Sequence, residues 1–97
     1  MPVLFARFRV VDLERWKAAF HENEMNRREH GLTVRAVYHD ATYVNGIVIL
    51  YEAEDLERGQ DFFHSDTQRE RMKFLGLERP AELWMATEFS AEDNPLA

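Results

Sequence analysis

The sequence contains no cysteine. Disulfides, thiolate nucleophiles and zinc sites built on Cys are excluded with it. Glycine is sparse and scattered, so neither a phosphate-binding loop nor a dinucleotide fingerprint can be assembled. No apolar run approaches the ~18 residues of a membrane span. The opening MPVLFARFRV is too short and too soon charged for a signal peptide. These absences predict a cytoplasmic protein that makes no membrane contact. Basic residues are in deficit, 12 against 18 acids, for a formal net charge of −6. That sign argues against a nucleic-acid backbone or an anionic membrane as the main partner.

What is present fits one small domain. Ninety-seven residues, 45% of them hydrophobic, suffice for a core, although a chain this short buries only roughly 60–65% of its unfolded surface. Residues 1–89 carry the periodic patterns, and the segment from Ser90, SAEDNPLA (90–97), is expected to be a flexible tail.

Val3 to Val10 reads as a central strand, with Leu4, Ala6, Phe8 and Val10 on a clean apolar face and Val3, Phe5, Arg7 and Arg9 on a mixed one. Asp12 caps a long helix that Gly31 stops. Leu13, Trp16, Ala19 and Phe20 share its first inward arc, and the same 3.6-residue period continues through Asn23, Glu24 and Arg27. Leu32 to His39 alternates Val34, Ala36 and Tyr38 against Thr33, Arg35, Val37 and His39, which directs Tyr38 toward the helices. After a turn at His39-Asp40-Ala41-Thr42 comes the most apolar strand, Tyr43 to Glu52. Asp55 caps a second helix, and Ser65-Asp66-Thr67-Gln68 restarts it as a capping box. Gly76 with Leu77 reads as a glycine C-cap, Pro80 blocks continuation, and Ala81 to Phe89 forms the last strand.

The order β-α-β-β-α-β predicts a ferredoxin-like α+β fold, an antiparallel sheet of order 4-1-3-2 with both helices on one side. The other side is then left with Val3, Phe5, Val37, Ile47, Ile49, Tyr51 and Trp84. A patch that large predicts a homodimer packed sheet to sheet. Arg7 and Arg9 on that side are expected to pair with Glu82 and Glu88 of the neighbouring last strand.

The stretches Asp12-Leu13-Glu14-Arg15-Trp16-Lys17-Ala18-Ala19-Phe20 and Glu52-Ala53-Glu54-Asp55-Leu56-Glu57-Arg58 resemble the dimeric α+β barrel superfamily, which includes the antibiotic-biosynthesis monooxygenases. The chain looks most like short bacterial proteins labelled "cyclase", a likeness that runs nearly to Phe89. Both stretches are capped helix starts, so the likeness bears on fold and dimer more than on chemistry. It implies a ligand cavity inside each subunit, between helices and sheet, with Trp16, Phe20 and Asn23 in its wall. Some relatives use an Asn–Trp–His set for cofactor-free oxygenation or haem breakdown. The haem-degrading branch places its axial His in a stretch corresponding to Ser65 to Met72, which here holds no His. Haem degradation is therefore disfavoured and no cofactor is implied.

The candidate binding residues are thus Trp16, Phe20, Asn23 and Arg27, with Arg27 as a donor fork for a polar or anionic molecule. The competing reading is a helix that outruns the sheet, with Glu24 and Arg27 a solvated i,i+3 pair. His21, His30, His39 and His64 lack metal-ligand spacing, and acids at a helix start explain Glu52, Glu54, Asp55 and Glu57 better than a metal does. His64, after Phe62-Phe63, and Tyr38 are the candidates for proton transfer. The leading expectation is a homodimeric small-molecule-binding protein. Its catalytic form would be a cofactor-independent monooxygenase- or cyclase-like enzyme acting on an aromatic or polyketide-like substrate. The alternative is a non-enzymatic dimeric stress or accessory module without a ligand cavity. The enzyme reading fails if that cavity is absent or under about 100 Å³, smaller than a typical ligand pocket.

Overall fold

The computed structural model describes residues 1–75, 77 and 81–96. The predicted Gly76 cap and Pro80 stop lie outside the described residues. The elements are β1 (Val3–Arg9), α1 (Leu13–Glu22), α2 (Glu24–Glu29), β2 (Leu32–His39), β3 (Gly46–Ala53), α3 (Leu56–His64), α4 (Asp66–Phe74) and β4 (Glu82–Ala86). The four-stranded sheet has the order β2-β3-β1-β4, which is the expected 4-1-3-2 read from the other edge. All its pairings are antiparallel.

The caps form where the side chains dictate. Asp12 and Asp55 lie in extended backbone and accept the N–H groups of Glu14 and Arg15, and of Glu57 and Arg58. Ser65 Oγ accepts from the Gln68 N–H at 3.3 Å and starts α4. The expected long first helix is two helices that meet at Asn23, whose backbone (φ −92°, ψ 7°) leaves the α-helical range. Gly31, at φ +71°, turns the chain from α2 into β2 through a conformation that a Cβ disfavours. β3 begins at Gly46, later than expected, because Tyr43 to Asn45 belong to the turn. Asn45 sits there at φ +59°, a value its short side chain tolerates.

Register fixes which side of the sheet is core. Leu4 lies opposite Tyr51, Ala6 opposite Ile49 and Phe8 opposite Ile47. These residues meet Trp16, Phe62 and Phe63 from the helices. Ile47, Ile49 and Tyr51 are therefore buried under the helices, which corrects their expected place on the uncovered side. Val48 and Leu50 take that side instead, beside Phe5 and Arg7. Burying Phe62, Leu4 and Ile49 completely contributes about 1.5–3 kcal/mol each to folding. Gly59 permits the close seating of α3, since a Cβ there would lie 3.1 Å from Leu32 Cδ2.

A second correction comes from β2. The pairing register slips between Val34 and Ala36, a β-bulge or comparable irregularity. Val34 pairs with Tyr51 on the core side, but Ala36 pairs with Leu50 and Tyr38 with Val48, on the uncovered side. One extra residue inverts the alternation of all that follows. Tyr38 accordingly points away from the helices and is 55% exposed, while Val37 moves to the helix side opposite Ile49. The expected ion pairs on the uncovered side are also replaced. Arg7 Nε donates to Asp40 Oδ2 at 2.7 Å, and Arg9 stacks 3.3 Å from the Tyr43 ring centroid. Glu88 accepts from the N-terminal ammonium instead, at 2.6 Å.

Candidate functional site

Between the helices and the sheet lies a cavity of about 40 Å³, room for about three waters. Six aromatic side chains, Phe8, Trp16, Phe20, Tyr51, Phe62 and Phe63, stand in its wall. The Trp16 ring sits 5.0 Å from Phe20 and 6.0 Å from Phe8, centroid to centroid. Phe62 and Phe63 meet edge to face at 4.9 Å, and Phe63 meets Tyr51 in the same way at 5.7 Å.

Polar groups enter this wall from two sides. The break at Asn23 keeps the inward arc of α1 running into α2, so Asn23 and Arg27 are 6% and 5% exposed. Asn23 Nδ2 donates to Gln68 Oε1 at 2.9 Å, joining the first helix pair to α4. Gln68 therefore spends its amide on Asn23, and the reciprocal half of the capping box is not among the bonds of the described residues. Arg27 Nη1 donates to the Phe20 carbonyl at 2.7 Å, and its guanidinium lies 3.8 Å from the Phe20 ring centroid. Glu24 bonds Arg28 rather than Arg27, so the helix neither outruns the sheet nor spends Arg27 on a surface pair.

Burial pushes the Arg27 guanidinium down from its ordinary pKa, with Tyr51 and Glu24 opposing that shift. Among the described residues no carboxylate bonds Arg27, and none lines the cavity. Burial likewise pushes the Tyr51 phenol well above its ordinary value, and the nearby Arg27 charge offsets part of the rise. No fully enclosed side-chain nitrogen or oxygen among the described residues lacks a partner. Tyr51 and Arg27 line the cavity, and among the described residues no bond is found for the Tyr51 hydroxyl or the remaining Arg27 nitrogens.

The structure brings Trp16, Phe20, Asn23 and Arg27 together on this wall. Tyr38 and His64 do not join them. Tyr38 is across the sheet, and His64 is exposed at the end of α3, outside the lining. Sequence reasoning missed Tyr51, Gln68 and Arg71 as lining residues. For Tyr51 a signal existed. Glu52 lies opposite Val3 and Thr33, on the side of Val48 and Leu50, which marks that side as the wetter one. The histidine rings have local roles: His30 Nδ1 lies 2.8 Å from the Asn26 carbonyl, and His21 meets Phe20 edge to face. Among the described residues no group of three or more His, Cys, Asp or Glu is placed to hold a metal ion.

No protein-family model matches the sequence, and no curated protein matches it significantly. Solved structures do match in fold. A protein provisionally named an antibiotic biosynthesis monooxygenase from Deinococcus radiodurans superposes with a TM-score of 0.64 at 12% identity, over 94% of this chain and 95% of its own. One of the same description from Nitrosomonas europaea gives a TM-score of 0.64 at 17% identity, over 93% of this chain and 100% of its own. An uncharacterised NIPSNAP domain protein from Burkholderia xenovorans gives 0.62 at 11% identity, over 94% and 97%. The chain thus has the fold of the antibiotic-biosynthesis-monooxygenase-like proteins. At these identities the likeness carries architecture and no activity. No helix among the described residues is long and apolar enough to cross a membrane.

Proposed function

We propose that the chain is a homodimeric protein that binds a small aromatic molecule between its helices and its sheet. The observation that carries this reading is the convergence of Trp16, Phe20, Phe62 and Phe63 with the polar Asn23, Arg27 and Gln68 on one cavity. An apolar pocket with a few placed polar groups is the usual form of a small-molecule site. The fold-level likeness to monooxygenase-named proteins supports the location and adds nothing on the reaction.

We assign no reaction to the site. The cavity's 40 Å³ is below the ~100 Å³ under which the enzyme reading loses its ground. His64 and Tyr38 lie outside it, and Tyr51 holds its proton too tightly to serve as a base near neutral pH. A ligand has to widen the cavity, and α4 is the wall that can give. It supplies Gln68, Arg71 and Met72 to the lining, yet none of its residues is fully buried. The same small volume favours the second reading, a dimeric module whose helix face is simply core.

A thermal-shift screen with small aromatic compounds tests the proposal. Binding is expected to raise the melting temperature and quench Trp16 in a Trp84→Phe background. Silence across a diverse set leaves the module as the better account.

The dimer rests on the uncovered side of the sheet. Phe5, Val48 and Leu50 are half-buried there, and Tyr38 and Trp84 are about half exposed. Sedimentation is expected to give twice the 11.5 kDa of one chain at micromolar concentration.

A further inference from the structure

We infer that the ligand of this cavity is an anion, an aromatic molecule bearing a carboxylate or an ionised enol or phenol. The inference rests on the small-molecule reading and specifies the charge of what binds. It begins from a mismatch between the chain and its cavity. The chain carries 18 acids against 12 basic residues, yet the lining holds Arg27 and Arg71 and not one carboxylate among the described residues. A cavity assembled without regard to charge would be expected to share the acidic bias of the chain.

Arg27 sharpens the point. A guanidinium has five N–H donors and cannot shed its charge in a protein, so burial is costly unless an anion faces it. Arg27 is 5% exposed, and its one hydrogen bond among the described residues is to the neutral Phe20 carbonyl. Burial opposes its charged form. Its guanidinium carbon lies 3.8 Å from the Phe20 ring centroid, and Arg27 lines the cavity with donors for which no bond is found among the described residues. An incoming carboxylate or enolate would accept from those donors in the fork geometry that Arg favours. The Tyr51 hydroxyl and the aromatic walls would hold the ring to which that group is attached. Structure alone explains the arrangement poorly, because a methionine would fill the site at Arg27 without stranding a charge.

The experiment compares matched pairs that differ in charge alone: benzoate and benzyl alcohol, 2-naphthoate and 2-naphthylmethanol, 9-anthroate and 9-anthracenemethanol. Affinity is read by Trp16 fluorescence in the Trp84→Phe chain and by calorimetry. At least one carboxylate is expected to bind tenfold or more tightly than its alcohol. Arg27→Met should abolish that preference while leaving the fold, judged by circular dichroism, intact. Arg27→Lys should keep part of the preference.

Equal affinity within every pair, or a preference that survives in Arg27→Met, overturns the anion assignment and leaves the small-molecule reading standing. If neither member of any pair binds, both fall together.

Discussion

The two sides of the sheet are built from the same strands and end as opposites. The helix side buries its apolar residues, and a guanidinium with them, around a small cavity. The other side displays Trp84 and Tyr38 at about half exposure and ties its charged residues to one another. The contrast shows that apolar content alone does not decide which side of a strand becomes core. Ile47, Ile49 and Tyr51 are no more apolar as a set than Val48 and Leu50. The choice is made by Leu4 and Ala6, whose partners across β1 and β3 must share their side.

The largest effect that would test this contrast is in the helix-side core. Phe62→Ala removes a side chain that is 1% exposed and should cost about 3–5 kcal/mol, read as a lowered midpoint in chemical denaturation. A loss under about 1 kcal/mol would mean that the core is looser than its packing indicates.

Next comes the opposite side. Leu50→Glu places a charge opposite Phe5 and should turn the sedimenting species into a single chain of 11.5 kDa while the circular dichroism stays native. If wild-type protein already sediments at that mass, the uncovered side has no partner in its own copy.

Arg27→Met is a smaller and more telling change. It is expected to leave stability unchanged or raise it by up to about 2 kcal/mol, because an unmatched buried charge is exchanged for an apolar side chain. A large loss would make Arg27 a structural post rather than a binding group.

The smallest effect concerns Asp40. The Thr42 backbone N–H, and then the Arg7 guanidinium, hold its carboxyl below the usual carboxylate range. A depressed folded pKa contributes stability above the ordinary value, near 3.9, and loses it as the pH falls through the lower folded value. Asp40→Asn should therefore lower the melting temperature at pH 7. Its deficit against wild type should shrink only in acid, below the usual carboxylate range. A deficit independent of pH would assign the effect to geometry rather than charge.

Much of the fold was legible because local signals agreed with one another. Asp12, Asp55 and Ser65 announced the helix starts, and strand order followed from the alternation of elements. Part of the site was legible for the same reason. The 3.6-residue period that placed Trp16 and Phe20 inward also placed Asn23 and Arg27, and the break at Asn23 did not rotate them away. What could not be read is what depends on pairing. No property of the β2 sequence states that its register slips near Arg35, so Tyr38 was assigned to the wrong side of the sheet. Gln68 was readable as a helix-start residue, but its bond to Asn23 spans two distant elements and exists only in three dimensions.

That slip in register has one more consequence. β2 is an edge strand, with one row of backbone groups left without a strand to pair, and a regular edge invites the strand of another molecule. An irregular edge is a poor template, because a second chain cannot keep step with it across the fault. Nature's usual defence against fibre growth is thus built into the feature that turns Tyr38 outward. Deleting Arg35 should remove the fault while Tyr38 stays opposite Val48 on the outward side, offering a smooth edge on which chains can stack into filaments, visible as thioflavin binding.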